Sequence, residues 1–139
     1  MFPIFSSGQV ANFDGRILVI GGWLHGPSSV VEAYDGNTWQ RLPDMLTPRM
    51  SAAAAHMANR LYVSGGSDGY STLGSLESFD GKQWRAELSL ISARQQHASL
   101  VFDGRLWVLG GVSEATTTKE LDSVESFVLK AEDEFIRAI

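Results

Sequence analysis

Three Gly-Gly pairs, at 21–22, 65–66 and 110–111, recur at spacings of 44 and then 45 residues, and no other feature constrains the fold as much. A repeat of this length is one supersecondary unit that buries its apolar faces by stacking on its neighbours. Each pair closes an apolar run, Ile17-Leu18-Val19-Ile20, Leu61-Tyr62-Val63 and Leu106-Trp107-Val108-Leu109. An arginine stands five residues before the first glycine each time, as Arg16, Arg60 and Arg105. After a polar loop the copies match again in Val31-Glu32-Ala33-Tyr34, Leu76-Glu77-Ser78-Phe79 and Val124-Glu125-Ser126-Phe127. Trp39 and Trp84 follow the aromatic by five residues, and Arg49 and Arg94 precede their glycine pairs by sixteen.

Each copy reads as four short strands. The first spans Ser7–Phe13, Arg16–Gly22, Val30–Asp35 and Thr38–Leu42. The second spans Ser51–Ala58, Arg60–Gly66, Ser75–Asp80 and Gln83–Leu88. The third spans Gln96–Phe102, Arg105–Gly111, Ser123–Val128 and a weaker Glu134–Ala138. The second strand of each copy is apolar at consecutive positions, as in a strand buried on both faces. Asp14-Gly15, Asp35-Gly36, Asp80-Gly81 and Asp103-Gly104 supply tight hairpin turns, all at one end of the unit. Four strands per repeat at this period predict an all-β propeller of three four-stranded antiparallel blades, at about 5–44, 49–89 and 94–138.

Charge and composition remove several function classes. The net charge of −5 leaves no basic face for nucleic acid, and −4 of it falls between Glu120 and Ile139. The chain has no cysteine, which excludes disulfides, thiolate metal sites and cysteine nucleophiles and fits a reducing compartment. The N-terminus carries no signal-peptide pattern and no stretch has the length of a membrane span. The expectation is a cytoplasmic protein without a membrane segment.

The Gly-Gly, Val-Glu-x-aromatic, Trp and Met-x-x-x-Arg pattern resembles the kelch repeat. MLTPRMSAAAAHMANRLYVSGGSDGYSTLGSLESFDGKQW matches one whole blade and is most similar to the kelch domain of BTB–kelch substrate adaptors of ubiquitin ligases. The chain departs from the pattern in three places. Phe5 stands at the repeat-arginine position, although Met1 keeps the phase of Met45. The third copy lacks its tryptophan, with Phe135 as the substitute after a three-residue insertion. These 139 residues include no BTB domain. The resemblance implies a ring of about six blades, of which this chain holds half. The chain therefore pairs with itself as a homodimer or needs missing blades from elsewhere.

Topology gathers Arg49, Arg94, the three repeat glutamates and the loops 23–29, 67–74 and 112–122 at one end. In kelch adaptors the equivalent loops and the residues near the repeat arginine form the ligand-binding face. That resemblance points to Trp23, Arg49, Ser67, Asp68, Tyr70 and Arg94 as partner-binding residues. Two exposed arginines fork onto carboxylates, which suggests an acidic peptide motif. The other reading of Arg49 and Arg94 is structural, as buried partners of Glu32 and Glu77. Trp39 and Trp84 recur with the repeat and are expected in the core.

Catalytic signals are weak. His25, His56 and His97 occupy unrelated repeat positions, and no third ligand accompanies them, so no metal is expected. The copper site of kelch-type oxidases uses a Tyr–Cys crosslink that this chain lacks. No phosphate loop or nucleophile elbow occurs, and no cofactor is expected. The sequence thus reads as a protein–protein interaction module rather than an enzyme. Two alternatives are a scaffold subunit completed by another chain and a kelch-type small-molecule enzyme, such as a sugar mutarotase, using Arg49, Arg94 and a glutamate.

Overall fold

The computed structural model describes residues 6–113, 120–130 and 134–138. Met1, Phe5 and most of the third loop lie outside the described residues. The first sheet runs β1 (Gln9–Phe13), β2 (Arg16–Ile20), β3 (Val31–Tyr34) and β4 (Trp39–Leu42). The second runs β5 (Ala53–Met57), β6 (Arg60–Ser64), β7 (Leu76–Phe79) and β8 (Trp84–Ala86). The third runs β9 (Ala98–Phe102), β10 (Arg105–Leu109), β11 (Val124–Leu129) and β12 (Phe135–Arg137). All neighbours are antiparallel and consecutive in sequence, and the described residues contain no helix. No helix is therefore long and apolar enough to cross a membrane.

The inner strands start later and the second strands end earlier than the sequence suggests, because positive backbone angles cut them there. Ser7, Ser51 and Gln96 occupy one repeat position at φ of 56°, 55° and 55°, so each inner strand starts after them. Gly21, Gly65 and Gly110 take φ of 61°, 60° and 67° and end the second strands. The Asp14-Gly15 and Asp103-Gly104 turns have positive φ at both residues, as the two-residue hairpin loop requires. At Asp35 and Asp80 the carboxylate instead accepts the N–H groups two and three residues on.

The inner strands β1, β5 and β9 lie side by side. A backbone ladder joins them: Ser51 N donates to Ser7 O and Gln96 N to Ser51 O, both at 2.9 Å. Two apolar cores fill the spaces between the sheets. Phe13, Leu18, Ile20 and Val31 of blade one pack against Leu61, Val63, Phe79 and Trp84 of blade two. Met57, Tyr62 and Leu76 of blade two pack against Leu106, Val108, Phe127 and Phe135 of blade three. Phe135 stacks on Phe127 at 4.9 Å just as Trp84 stacks on Phe79 at 5.0 Å, so it takes the missing tryptophan's place. Trp84 is buried and donates to Pro43 O at 2.9 Å. Trp39 departs from the core expectation. It is exposed on the outer side of blade one, stacked on Tyr34, because no described blade covers that side.

The glycine pair also sets how closely blades approach. A Cβ on Gly21 would lie 2.5 Å from Arg49 O, and one on Gly65 would press into Arg94 O in the same way. Gly104 has a similar φ of +69° with nothing near its Cβ position. Gly104→Ala should therefore cost only the left-handed backbone strain, about 1 kcal/mol. Gly65→Ala adds a clash between blades and should lose several times that, read as the shift of a urea unfolding midpoint.

Candidate functional site

Each inner strand begins, and each second strand finishes, at the end of the blade that carries the glycine pairs. The loops after those pairs and the segments from one blade's outer strand to the next blade's inner strand also collect there. Below this end lie the two repeat arginines. Arg49 is 1% exposed and Arg94 is 0% exposed. Arg49 donates from Nε and Nη2 to Glu77 Oε2 at 3.1 and 2.9 Å, from Nη1 to Gly65 O and Ser75 O, and from Nη2 to Ser75 Oγ. Arg94 repeats the pattern with Glu125 Oε2 at 3.2 Å, Gly110 O, Ser123 O, Ser123 Oγ and Ser92 O. Each guanidinium thus commits its full set of five donors inside the protein. The other glutamate oxygen accepts a backbone N–H, from Leu46 to Glu77 and from Ile91 to Glu125, both at 2.7 Å.

These contacts correct two sequence expectations. Arg49 and Arg94 do not face a ligand, since neither has a free donor or an exposed surface. The acidic-motif expectation, which relied on them, loses its basis with them. Their partners are also one glutamate further along than expected, Glu77 and Glu125 rather than Glu32 and Glu77. The backbone explains the shift. Arg49 N donates to Ser28 O and Arg49 O accepts from Gly22 N, so its main chain docks on blade one while its side chain enters blade two. Glu32 then needs an arginine at position 5, where the chain has Phe. Val30 accordingly replaces the serine that bonds the guanidinium in the other two copies. Burial raises the Glu32 pKa above the ordinary carboxylate value, with Arg41 across the strand pulling the other way.

The remaining predicted residues divide by exposure. Ser67 is buried; it bridges Met50 by two backbone bonds and its hydroxyl accepts from Gly69 N at 3.1 Å. Asp68 shapes the loop, its Oδ1 accepting from Ser71 N and Tyr70 N at 2.8 and 2.9 Å, and those bonds lower its pKa. Tyr70 projects from the turn so made and is 99% exposed. Trp23 is exposed at the start of the first loop, bonded through its N–H to Ser6 O at 2.7 Å. The two loops adjoin: a Cβ on Gly69 would meet the Pro27 ring at 3.1 Å. Trp23 and Tyr70 therefore belong to one surface, and Arg49, Arg94 and Ser67 support it from beneath.

Three exposed apolar residues on the same surface escaped the sequence reading. Leu24 follows Trp23, and Leu46 and Ile91 occupy one repeat position on the blade-to-blade segments. The signal was present, since an apolar residue nineteen before each glycine pair recurs in a segment with no strand pattern. Among the described residues no exposed cation without a partner stands at this end; Arg41 pairs with Asp44 at 2.8 Å.

The histidines do not converge. His56 meets the Phe13 ring edge-on at 5.2 Å near the opposite end, where the two line a pocket together with Asp14, Asn59 and Asp80. His97 lies beneath the loop end against Gly65 and Gly111, with Nε2 3.0 Å from Ser64 Oγ. Burial first, and then the Arg94 charge, push its pKa down to about 4. Among the described residues no group of three His, Asp or Glu is placed to hold a metal ion.

A profile of the Kelch motif matches residues 6–46, 48–87 and 93–133, one match per blade. The chain belongs to the kelch-repeat family. An F-box/kelch-repeat protein of Arabidopsis thaliana is 39% identical over 64 residues, covering 44% of this kelch chain and 17% of the plant protein. The solved structure of YjhT superposes with a TM-score of 0.78 at 17% identity, covering 97% of this chain and 46% of the other. The kelch chain thus spans less than half the length of either protein.

Two measurements follow from the buried charges. Arg49→Ala strands Glu77 in the interior and should cost about 3–5 kcal/mol in urea unfolding, whereas Glu32→Gln, at the copy with no arginine, should cost far less than Glu77→Gln. His97 is neutral in the fold down to about pH 4 but protonates near 6.5 once unfolded. The unfolded chain therefore binds the extra proton, and stability should fall as pH drops from 6.5 toward 4, by on the order of 3 kcal/mol. A His97→Gln variant should flatten the melting temperature across that window.

Proposed function

We propose that this kelch chain is a protein–protein interaction module whose ligand docks on the loop end. The observation that carries the reading is the exposed apolar surface formed by Trp23, Leu24, Leu46, Tyr70 and Ile91 on irregular loops. These loops stand on a rigid base, because each buried arginine ties two blades together below them. A varied loop surface on a fixed scaffold is the arrangement binding proteins use, and exposed aromatics are frequent hot spots. The ligand in this reading is a peptide segment with an apolar anchor and neutral or basic flanks. Asp68 carries a carboxylate with no ion-pair partner among the described residues at this end, Asp44 is paired with Arg41, and no unpaired cation is described there to receive an acidic ligand.

The finer reading is a substrate-recognition propeller of a ubiquitin-ligase adaptor acting in the cytoplasm. It is supported by the likeness to a plant F-box/kelch-repeat protein and, in sequence, to BTB–kelch adaptors. The reading carries no catalytic role: the arginines that a small-molecule enzyme would use are fully engaged in holding the fold.

Selection of a random phage-displayed peptide library against the immobilised chain tests the surface. Recovered peptides should carry an aromatic or aliphatic anchor. Titration calorimetry of one of them should show Tyr70→Ala and Trp23→Ala each weakening binding by about 2 kcal/mol, with melting temperatures unchanged. Peptides rich in acidic residues, or binding equally tight to both variants, would place the ligand site elsewhere.

A further inference from the structure

The junction between blades one and two holds, at its turn end, a cavity whose polar lining the repeat does not require. It measures about 310 Å³ and is lined by Phe13, Asp14, His56, Asn59 and Asp80. Asp14 lies in the β1–β2 hairpin, Asn59 in the β5–β6 hairpin, and Asp80 opens the turn between β7 and β8. Every lining residue therefore belongs to blade one or blade two. The repeat-equivalent positions at the junction between blades two and three are Met57, Ala58, Val101, Gly104 and Val128. None of these five has a charged or hydrogen-bonding side chain. Phe13 and Met57 share one duty, packing between blades, and both are buried. The two carboxylates, the imidazole and the amide are additions to the frame at one of its two junctions.

The β5–β6 hairpin also departs from its siblings. Asn59 stands where they carry Gly15 and Gly104, and its neighbour Ala58 takes a φ of 53°, which strains an alanine. The acceptors around the cavity are not used up. Asp80 Oδ1 accepts from Gln83 N and Lys82 N at 2.9 and 2.8 Å, and those bonds hold its carboxyl below the ordinary value. Among the described residues no donor bonds its Oδ2. Asp14 has only Arg16, 3.9 Å away on the surface, and an exposed pair at that separation contributes little. Arg60, whose charge reaches Asp80, donates to Ser78 Oγ.

We propose that this cavity binds a primary ammonium group on a short alkyl stem. An ammonium carries three donors on one atom, and Asp14, Asn59 and Asp80 offer it acceptors from three separate turns. The Phe13 and His56 rings line the cavity beside the stem. A metal ion does not fit, since among the described residues no three His, Asp or Glu are placed to hold one. An anion would meet two carboxylates. The volume lies at the small end of ligand sites, enough for one side chain or one small molecule. Two sources share that chemistry, a free amine and a lysine of another protein. The cavity is at the opposite end of the blades from Trp23 and Tyr70, so the inference is independent of which ligand the loop end takes.

The test is an amide chemical-shift titration of the isotope-labelled chain with n-butylammonium chloride. The amides of Asp14, His56, Asn59 and Asp80 should shift together and saturate, with a Kd on the order of 1 mM for so small a ligand. Asp80→Asn keeps an oxygen to accept Lys82 N and Gln83 N, so the turn survives while the charge goes, and binding should weaken by about tenfold. Asp35→Asn removes the same charge from the same turn on blade one, outside the cavity, and should leave binding unchanged. Asn59→Gly restores the residue of the sibling hairpins and should weaken binding without lowering the melting temperature. n-Butanol, the same stem without the charge, should give no saturating shift. A second titration, with the blocked peptide Gly-Gly-Lys-Gly-Gly, separates the sources. Peptide binding about tenfold tighter than the free amine makes the ligand a protein side chain, and equal or weaker binding makes it a free amine. Shifts that never saturate, butanol matching butylammonium, or equal losses from Asp35→Asn and Asp80→Asn overturn the proposal.

Discussion

The arginine placed between two blades is the interaction on which the rest of this structure depends. Its main chain hydrogen-bonds to the glycine loop of one blade while its side chain is enclosed by the next. Burying a guanidinium and a carboxylate costs several kcal/mol for each ion, which the pair recovers only if every donor and acceptor is met. Here each donor is met. The serine two residues before the glutamate, the glycine carbonyl and the backbone N–H at Leu46 or Ile91 complete both partners. That geometry also demands glycine at the contact, because a side chain at Gly21 or Gly65 would separate the blades. One ion pair therefore fixes blade spacing, the path of the loop and the height of the surface above it.

The period, the four strands per copy and the hairpin turns were legible because they depend on local chemistry repeated three times. Phe135 could be assigned to the tryptophan position for the same reason, since its stacking on Phe127 follows from repeat phase. What the sequence left ambiguous was long-range. Whether an arginine is a ligand contact or a buried tie depends on what lies above it, and a repeat pattern does not carry that information. The pairing was off by one glutamate because the side chain points into the blade it begins, although its backbone touches the one before. Trp39 and Trp84 are indistinguishable in sequence, and only a neighbouring blade separates their burial.

The candidate surface follows a different logic. Its members Trp23, Leu24 and Tyr70 do not recur between copies, while Leu46 and Ile91 do. The recurring pair has a structural duty through its backbone, the N–H bond to the buried glutamate, and the side chains face outward as a result. A frame that must hold its carboxylates thus also presents apolar groups at fixed spacing. The irregular loops then add aromatic residues that the frame does not require, and it is there that specificity has freedom to vary.

The missing arginine at position 5 gives the molecule a direction. Blade two is tied on both sides, and blades one and three are each tied on one. In a chain of units that interact only with neighbours, local opening begins where the coupling is weakest and proceeds inward. Amide protons in β5 to β8 would then exchange last, and those of the outer blades earlier. A phenylalanine at position 5, where the equivalent residues 49 and 94 are arginines, leaves the Glu32 copy to rely on apolar packing in place of a buried charge pair.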